Sequence, residues 1–312
     1  MYYWKTNYTV SDQDENSLKK WGITKLYVRV FDVDWDKEKS QPMPVSPITF
    51  TSRPADIEII PVVYIPNKVM LTLTDLQVNQ LSKNIFNKIE SICGEHNINY
   101  KEIQLDCDWS SSSREKYFKL LTLLKQEFRN KRISATLRLH QVKYYKKTGI
   151  PPVDKGMLMF YNMGKINTNL EKNPIYNRED AEKYVSALKS YPFHYDVVLP
   201  CFSWSVQIRD HRVLKLWDRD VFRESEKNSN FSRETERSLV ADTSFFSLGI
   251  YFKQRDRLRL DELNAEETVG IANYLSKYVS PKSRTIAIFD FNPDDKAKFN
   301  EEILDNIFTH FE

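Results

Sequence analysis

Residues 102–140, EIQLDCDWSSSSREKYFKLLTLLKQEFRNKRISATLRLH, decide how the rest of the chain is read. Glu102–Trp109 alternates polar and apolar residues with the period of a strand. Ser111–Arg129 brings Leu120, Leu121, Leu124 and Phe128 onto one helical face. Arg132–His140 alternates again. Strand, helix and strand within forty residues form a βαβ unit, whose two strands lie parallel in one sheet.

The same order repeats outward from this unit. Upstream, Ser11 caps a helix running to Trp21, Lys25–Asp34 (KLYVRVFDVD) and Ile57–Ile65 (IEIIPVVYI) are strands, and Asp75–His96 is a helix. Downstream, Gly156–Asn162 (GMLMFYN) is a fifth strand, Glu179–Tyr191 a helix and Asp196–Trp204 (DVVLPCFSW) a sixth strand. Phe245–Leu260 holds a seventh strand with a hairpin, and Ala265–Val279 is helical. Arg284–Phe291 (RTIAIFDF) is the last strand and Ala297–Phe311 the last helix. Eight strands in βα order predict an α/β chain folded as a closed (β/α)8 TIM-type barrel, with a doubly wound open sheet as the competitor. The barrel is preferred because polar residues recur where the strands end, at Asp32 and Asp34, Asn67, Asp106 and Asp108, His140, Tyr161 and Asn162, Trp204, and Asp290. Such barrels build their sites on that rim. Residues 1–312 are expected to form a single barrel domain with a polar excursion near 218–260. Charge-rich Asp218–Ser244 is read as its long loop.

Composition excludes several function classes. The chain has seven glycines in 312 residues, and the nearest pair, Gly149 and Gly156, cannot write a dinucleotide fingerprint, a P-loop or a nucleophile elbow. No cofactor is therefore expected. Forty-six basic against 43 acidic residues give a net charge of +3, too small a field to single out nucleic acid. Three cysteines without C-x-x-C suggest buried thiols rather than a redox pair or zinc site. Asp32, Asp34, Asp106, Asp108 and Asp290 are hard oxygen ligands that suit Ca²⁺ or Mg²⁺, but no spacing commits them to a metal, and none is assigned. No apolar run is long enough to span a membrane. The start Met1-Tyr2-Tyr3-Trp4 reads as one placed after a removed leader, so export to the periplasm or cell surface is expected, with the cytoplasm as the alternative. Composition leaves the oligomeric state open.

Chemistry concentrates at Gln104-Leu105-Asp106-Cys107-Asp108. On a strand Gln104, Asp106 and Asp108 share a face, and two carboxylates held together split their affinities for protons, which is how acid and base roles divide. Arg138, two residues after Thr136 on the neighbouring strand, is the expected partner of Asp106 or Asp108, either as a structural ion pair or as a ligand contact. His140 is read as a proton carrier or a structural hydrogen-bond donor. Tyr161 and Asn162 offer hydrogen bonds, and Trp35, Trp109 and Trp204 offer flat faces for sugar rings.

The runs YYWKT (2–6), RVFDVDWD (29–36), IQLDCDWS (103–110), SATLRLHQ (134–141), TGIPPVDKGMLMFYNMG (148–164) and LPCFSW (199–204) resemble an uncharacterised bacterial family, a domain of unknown function associated with exported proteins and lipoproteins. That likeness implies a barrel fold and an export route but no reaction. A fainter resemblance is to family-18 chitinases. Asp106-Cys107-Asp108-Trp109-Ser110 is similar to the end of their D-x-x-D-x-D-x-E motif, and Met159-Phe160-Tyr161-Asn162 to their M-x-Y-D. Ser110 stands where that family keeps its glutamate acid and Asn162 where it keeps an aspartate.

These residues lead to a glycoside hydrolase-like barrel acting on a polysaccharide or glycan, with Asp108 as general acid and Asp106 as the second carboxylate. Asp32, Asp34, Arg138, His140, Tyr161, Asn162, Trp204 and Asp290 would bind the sugar. The alternative is a non-catalytic carbohydrate-binding or cell-surface protein on a degenerate barrel, which the serine at 110 favours. A metal-dependent hydrolase is a third reading.

Overall fold

A computed structural model describes residues 1–168, 172–279, 284–293 and 298–312. The chain divides into two compact units. One comprises residues 1–159, 184–199 and 269–312, and the other residues 160–183 and 200–268.

The first unit is the expected barrel. Its strands are β1 (Tyr2–Tyr3), β2 (Lys25–Asp36), β3 (Glu58–Tyr64), β4 (Glu102–Asp106), β5 (Arg132–Arg138), β6 (Lys155–Met159), β7 (Tyr195–Pro200) and β8 (Ile286–Phe289). They neighbour one another in that order. The Phe291 amide donates to the Tyr2 carbonyl at 2.7 Å, bringing the last strand back to the first. The sequence count reached eight by a different route. It took Phe245–Leu260 for the seventh strand and passed over Tyr2–Tyr3, which is too short for any periodicity to register. Tyr2 earns its place through its ring, which stacks on Tyr27 at 4.7 Å between centroids while the two residues pair in parallel register.

Helices form where caps and apolar stripes agree. Ser11 closes a capping box on Asp12–Lys20, and Thr74 does so on Asp75–Glu95. The second of these helices buries Val78, Leu81, Ile85, Ile89 and Ile92 along one stripe. Asn300 caps the last helix, Glu301–Thr309; the expected start at Ala297 lies outside the described residues.

The barrel interior is crossed by a polar ladder rather than filled only with aliphatic layers. Near the strand starts, the Lys155 ammonium meets Asp196 at 2.7 Å and Glu102 at 3.2 Å, all three side chains being buried. Ser134 donates to Glu102 at 2.7 Å, and Tyr2 donates to Gln104 at 2.5 Å. Asp196 also accepts from the Thr285 amide at 2.8 Å. Strand alternation turns Glu102, Gln104 and Asp106 inward as one row, so the row continues into the rim.

One scarce glycine has a steric reason. Gly156 pairs with Ala135 on β5 and Tyr195 on β7. A methyl group there would lie 2.3 Å from Leu137 Cδ1 and 3.3 Å from Tyr195 Cβ. Leu137 is fully buried, so its methyl group would have to shift within the core. Gly156→Ala is therefore expected to cost about 1–3 kcal/mol through overpacking, read as a lower urea midpoint at unchanged slope.

The second unit carries a five-stranded antiparallel sheet. Its order is Arg212–Asp218, Ser203–Arg209, Arg257–Glu262, Ser238–Ala241, Phe231–Thr235. Phe222, Leu239, Ile250, Phe252 and Leu258 form its core. Asp218–Ser244, read as a loop from its charge, thus contains the helix Arg219–Ser225 and a hairpin. The edge strand Phe231–Thr235 has only Phe231 partly covered and four exposed residues, so it carries almost no hydrophobic pattern to recognise.

Candidate functional site

Parallel register places three expected or adjacent polar residues side by side at the C-terminal end of the barrel. Asp32 on β2 is opposite Tyr64 on β3, and Tyr64 is opposite Asp106 on β4. Thr136 on β5 then donates to Asp106 Oδ1 at 2.6 Å. Residues opposite one another in a parallel sheet point to the same side, so this row lines one inner arc of the rim.

Asp106 is the most perturbed carboxyl of the row. It is 3% exposed, and burial pushes its pKa up to about 6 against the pull of Arg138; Asp108 and Asp32 push the same way as burial. Asp32 is raised as well, first by burial and then by Asp34, with Arg29 opposing. Tyr64 is pushed up to about 12 by burial and by the charges of Asp106 and Asp108, which keeps its hydroxyl a neutral donor. Sequence reading passed over Tyr64. Its position as the terminal residue of an otherwise apolar strand was the available signal.

Asp108 lies beyond the end of β4, and its carboxylate is 41% exposed. Arg138 grips it with two parallel hydrogen bonds, Nε to Oδ1 and Nη2 to Oδ2, the second at 3.0 Å. The expected partnership of Arg138 thus forms with Asp108. The bidentate fork satisfies both oxygens at once, and a proton on either would break it. His140 is not on the strand with Arg138, because β5 ends there and Leu139–Lys143 is helical. Although the residue is exposed, local desolvation around the ring lowers its pKa, with Asp108 opposing and Arg138 assisting. The imidazole is therefore neutral at pH 7.

Other expected site residues take different places. Asp34 extends β2 into a hairpin with Gln41–Val45 and pairs with exposed Lys68 at 2.9 Å, which holds its carboxyl below the usual range. Asp290 follows β8 and is partly exposed. Trp109, expected as a rim platform, is fully buried: its indole donates to the Thr148 carbonyl at 2.9 Å and stacks on Tyr117 at 5.3 Å. Asn67, expected at a strand end, opens the helix Asn67–Thr72 and accepts from Ser113 at 2.5 Å. Ser110 lies in the same turn, where its amide donates to Ser113 Oγ at 2.9 Å.

Tyr161, Asn162 and Trp204 belong to the second unit and are not on barrel strands. β6 stops at Met159. Tyr161 is buried edge-on to Phe202 at 5.5 Å, and the Asn162 amide, at φ +52°, donates to the Ile175 carbonyl. Trp204 sits in the antiparallel strand Ser203–Arg209 and donates to Asp261 at 2.9 Å. Apolar runs that continue past a strand end mark these residues as strand in sequence, while the chain has already left the barrel.

Among the described residues no group of three or more His, Cys, Asp or Glu is arranged to hold a metal ion, and no helix is long and apolar enough to cross a membrane. The arrangement offers neutral donors at Tyr64 and His140, a proton at Asp106 that is half-occupied near pH 6, and one fixed carboxylate–guanidinium pair. That set suits hydrogen bonding to a hydroxyl-rich ligand.

No protein-family model and no curated protein sequence matches the chain. Solved structures do. The spore cortex-lytic enzyme SleL of Bacillus cereus superposes over 100% of this chain and 74% of its own, at 13% identity and TM-score 0.53. The chitinase-like agglutinin of Robinia pseudoacacia covers 100% and 98%, at 11% identity and TM-score 0.57. A chitinase of Chromobacterium violaceum covers 98% of each chain, at 9% identity and TM-score 0.53. The fainter sequence resemblance to chitinases therefore extends to the fold, and the chain is similar in architecture to barrels that include both enzymes and an agglutinin.

Proposed function

We propose that the C-terminal end of the barrel binds a glycan without cleaving it, the carbohydrate-binding alternative to the hydrolase. The observation that carries this reading is the bidentate Asp108–Arg138 pair. Two-carboxylate cleavage needs one acid able to give a proton and one carboxylate free to act on the sugar or on water. Asp108, the expected acid, has both oxygens committed to Arg138. Asp106 can hold a proton near neutrality but is 3% exposed and tied to Thr136. At the position where the resemblance to chitinases calls for a glutamate, the Ser110 hydroxyl cannot protonate a leaving oxygen at neutral pH. What is left is a hydrogen-bonding surface of Tyr64, Arg138 and His140. Export, expected from the sequence, would bring such a surface to extracellular glycans.

The second reading, a hydrolase with Asp106 as its acid, is favoured by that carboxyl's pKa of about 6. Calorimetric titration and product analysis with chitooligosaccharides separate the two. Binding without turnover is expected, with affinity weakened about tenfold or more in Arg138→Ala, the size of one lost charge-assisted contact. Turnover that vanishes in Asp106→Asn and falls as pH rises through about 6, where the acid loses its proton, would establish the hydrolase instead.

A further inference from the structure

At the C-terminal end of β1 a cleft of 670 Å³ opens between residues that the rim cluster does not use. Trp4 and Lys5 immediately follow β1, Asn7 and Thr9 come next, and Arg29 of β2 and Asp14 complete the part that matters. Arg29 stands 5.7 Å from the centre of the Trp4 ring, so the indole and guanidinium share one wall.

Donors outnumber acceptors on this wall. Arg29 reaches Asp32 through a single contact, Nη1 to Oδ2 at 3.1 Å, while its Nε and Asp32 Oδ1 are paired with nothing among the described residues. The Nε is itself shut off from solvent, so Arg29 presents the cleft with the Nη end of its guanidinium. The cleft's own carboxylate, Asp14, is already in use. Asp14 Oδ2 accepts from the Ser11 amide at 3.0 Å and the Ser11 hydroxyl at 2.6 Å, at the start of the helix Asp12–Lys20, where the dipole also offsets its charge. Lys5 adds a second cation, and Asn7 and Thr9 are exposed.

An acceptor-rich, planar anionic group on a ring with an apolar face complements such a wall. We propose that this cleft seats a carboxylate-bearing sugar, its carboxylate toward Arg29 and Lys5 and its ring against Trp4. The inference rests on the glycan reading above and narrows it to an acidic glycan. Asp32, which belongs both to the rim row and to the Arg29 pair, links the two places.

The test is calorimetric titration of the whole protein with α-1,4-linked trigalacturonate, its methyl ester and chitotriose at low salt. The acid is expected to bind at least tenfold more tightly than its ester, the equivalent of one charge-assisted hydrogen bond. Trp4→Ala and Lys5→Gln are each expected to weaken the acid five- to tenfold, and Lys5→Gln to shrink the preference over the ester. Arg29→Gln should abolish that preference. Because it also loosens Asp32, its thermal melt is read beside the two other variants. Chitotriose or the ester binding as well as the acid would overturn the acidic-sugar inference and leave the glycan reading standing. Failure of all three sugars to bind would overturn both.

Discussion

Lys155→Met is expected to destabilise the barrel by about 3–5 kcal/mol, the cost of stranding buried charge when one partner of a buried ion group is removed. Methionine fills the aliphatic part of the lysine's volume, so the loss reports charge rather than a cavity. Without the ammonium, Glu102 on β4 and Asp196 on β7 are two buried carboxylates, and among the described residues their remaining hydrogen-bond donors are Ser134 and the Thr285 amide. Chemical denaturation at pH 7 measures the loss. Adding Glu102→Gln and Asp196→Asn to Lys155→Met removes the stranded charges, and this triple variant is expected to regain most of the lost stability. A single variant as stable as the parent would show that the triad is not held as described.

Asp106→Asn is expected to act in the opposite direction. In the folded chain the carboxyl protonates below about pH 6, and in the unfolded chain below about pH 4. A raised folded pKa contributes stability that is fully present below the unfolded value and lost as pH rises through the folded one. The parent therefore gives up stability between about pH 4 and pH 6 through this group. Two units at about 1.4 kcal/mol each set the loss at about 3 kcal/mol, the opposing pull of Arg138 being already contained in the shift. Asparagine keeps an oxygen to accept from Thr136 and has no charge to desolvate. Urea denaturation of parent and variant across pH 4–8 isolates the term. The difference should be small at pH 4 and reach its plateau, with the variant more stable, above pH 7. A flat difference would show that Asp106 is not desolvated, and would remove the basis for assigning it a proton near neutrality.

Asp106 and Glu102, the buried partner of Lys155, belong to one inward row on β4, and that row shows where sequence reading worked. Gln104, Asp106 and Asp108 were placed on one face by alternation alone, and Gln104 and Asp106 keep that placement in β4. Alternation stops being informative where the strand stops. Asp108, His140, Tyr161 and Trp204 all lie past a barrel strand's last residue, in turns, a helix or another sheet, although each continues an apolar or alternating run. Trp109 shows the same failure from the other side. An aromatic at a strand end reads as a rim platform until Tyr117 and Phe118 are packed over it.

By itself the sequence determined the repeating strand–helix order, the barrel class, the capped helices and the inward row of polar residues on β4. Those features follow from local periods and caps, which act within a few residues of one another. The tertiary structure alone decided three things. It enlisted Tyr2–Tyr3 as the first strand, assembled Lys155 with Glu102 and Asp196, and gave Arg138 to Asp108 rather than to Asp106. Each depends on which strand ends up beside which and how far its register runs. Two-residue strands and ion pairs between residues 30 to 53 positions apart leave no periodic trace in a chain, because burial and Coulomb attraction act through space only after the sheet has closed.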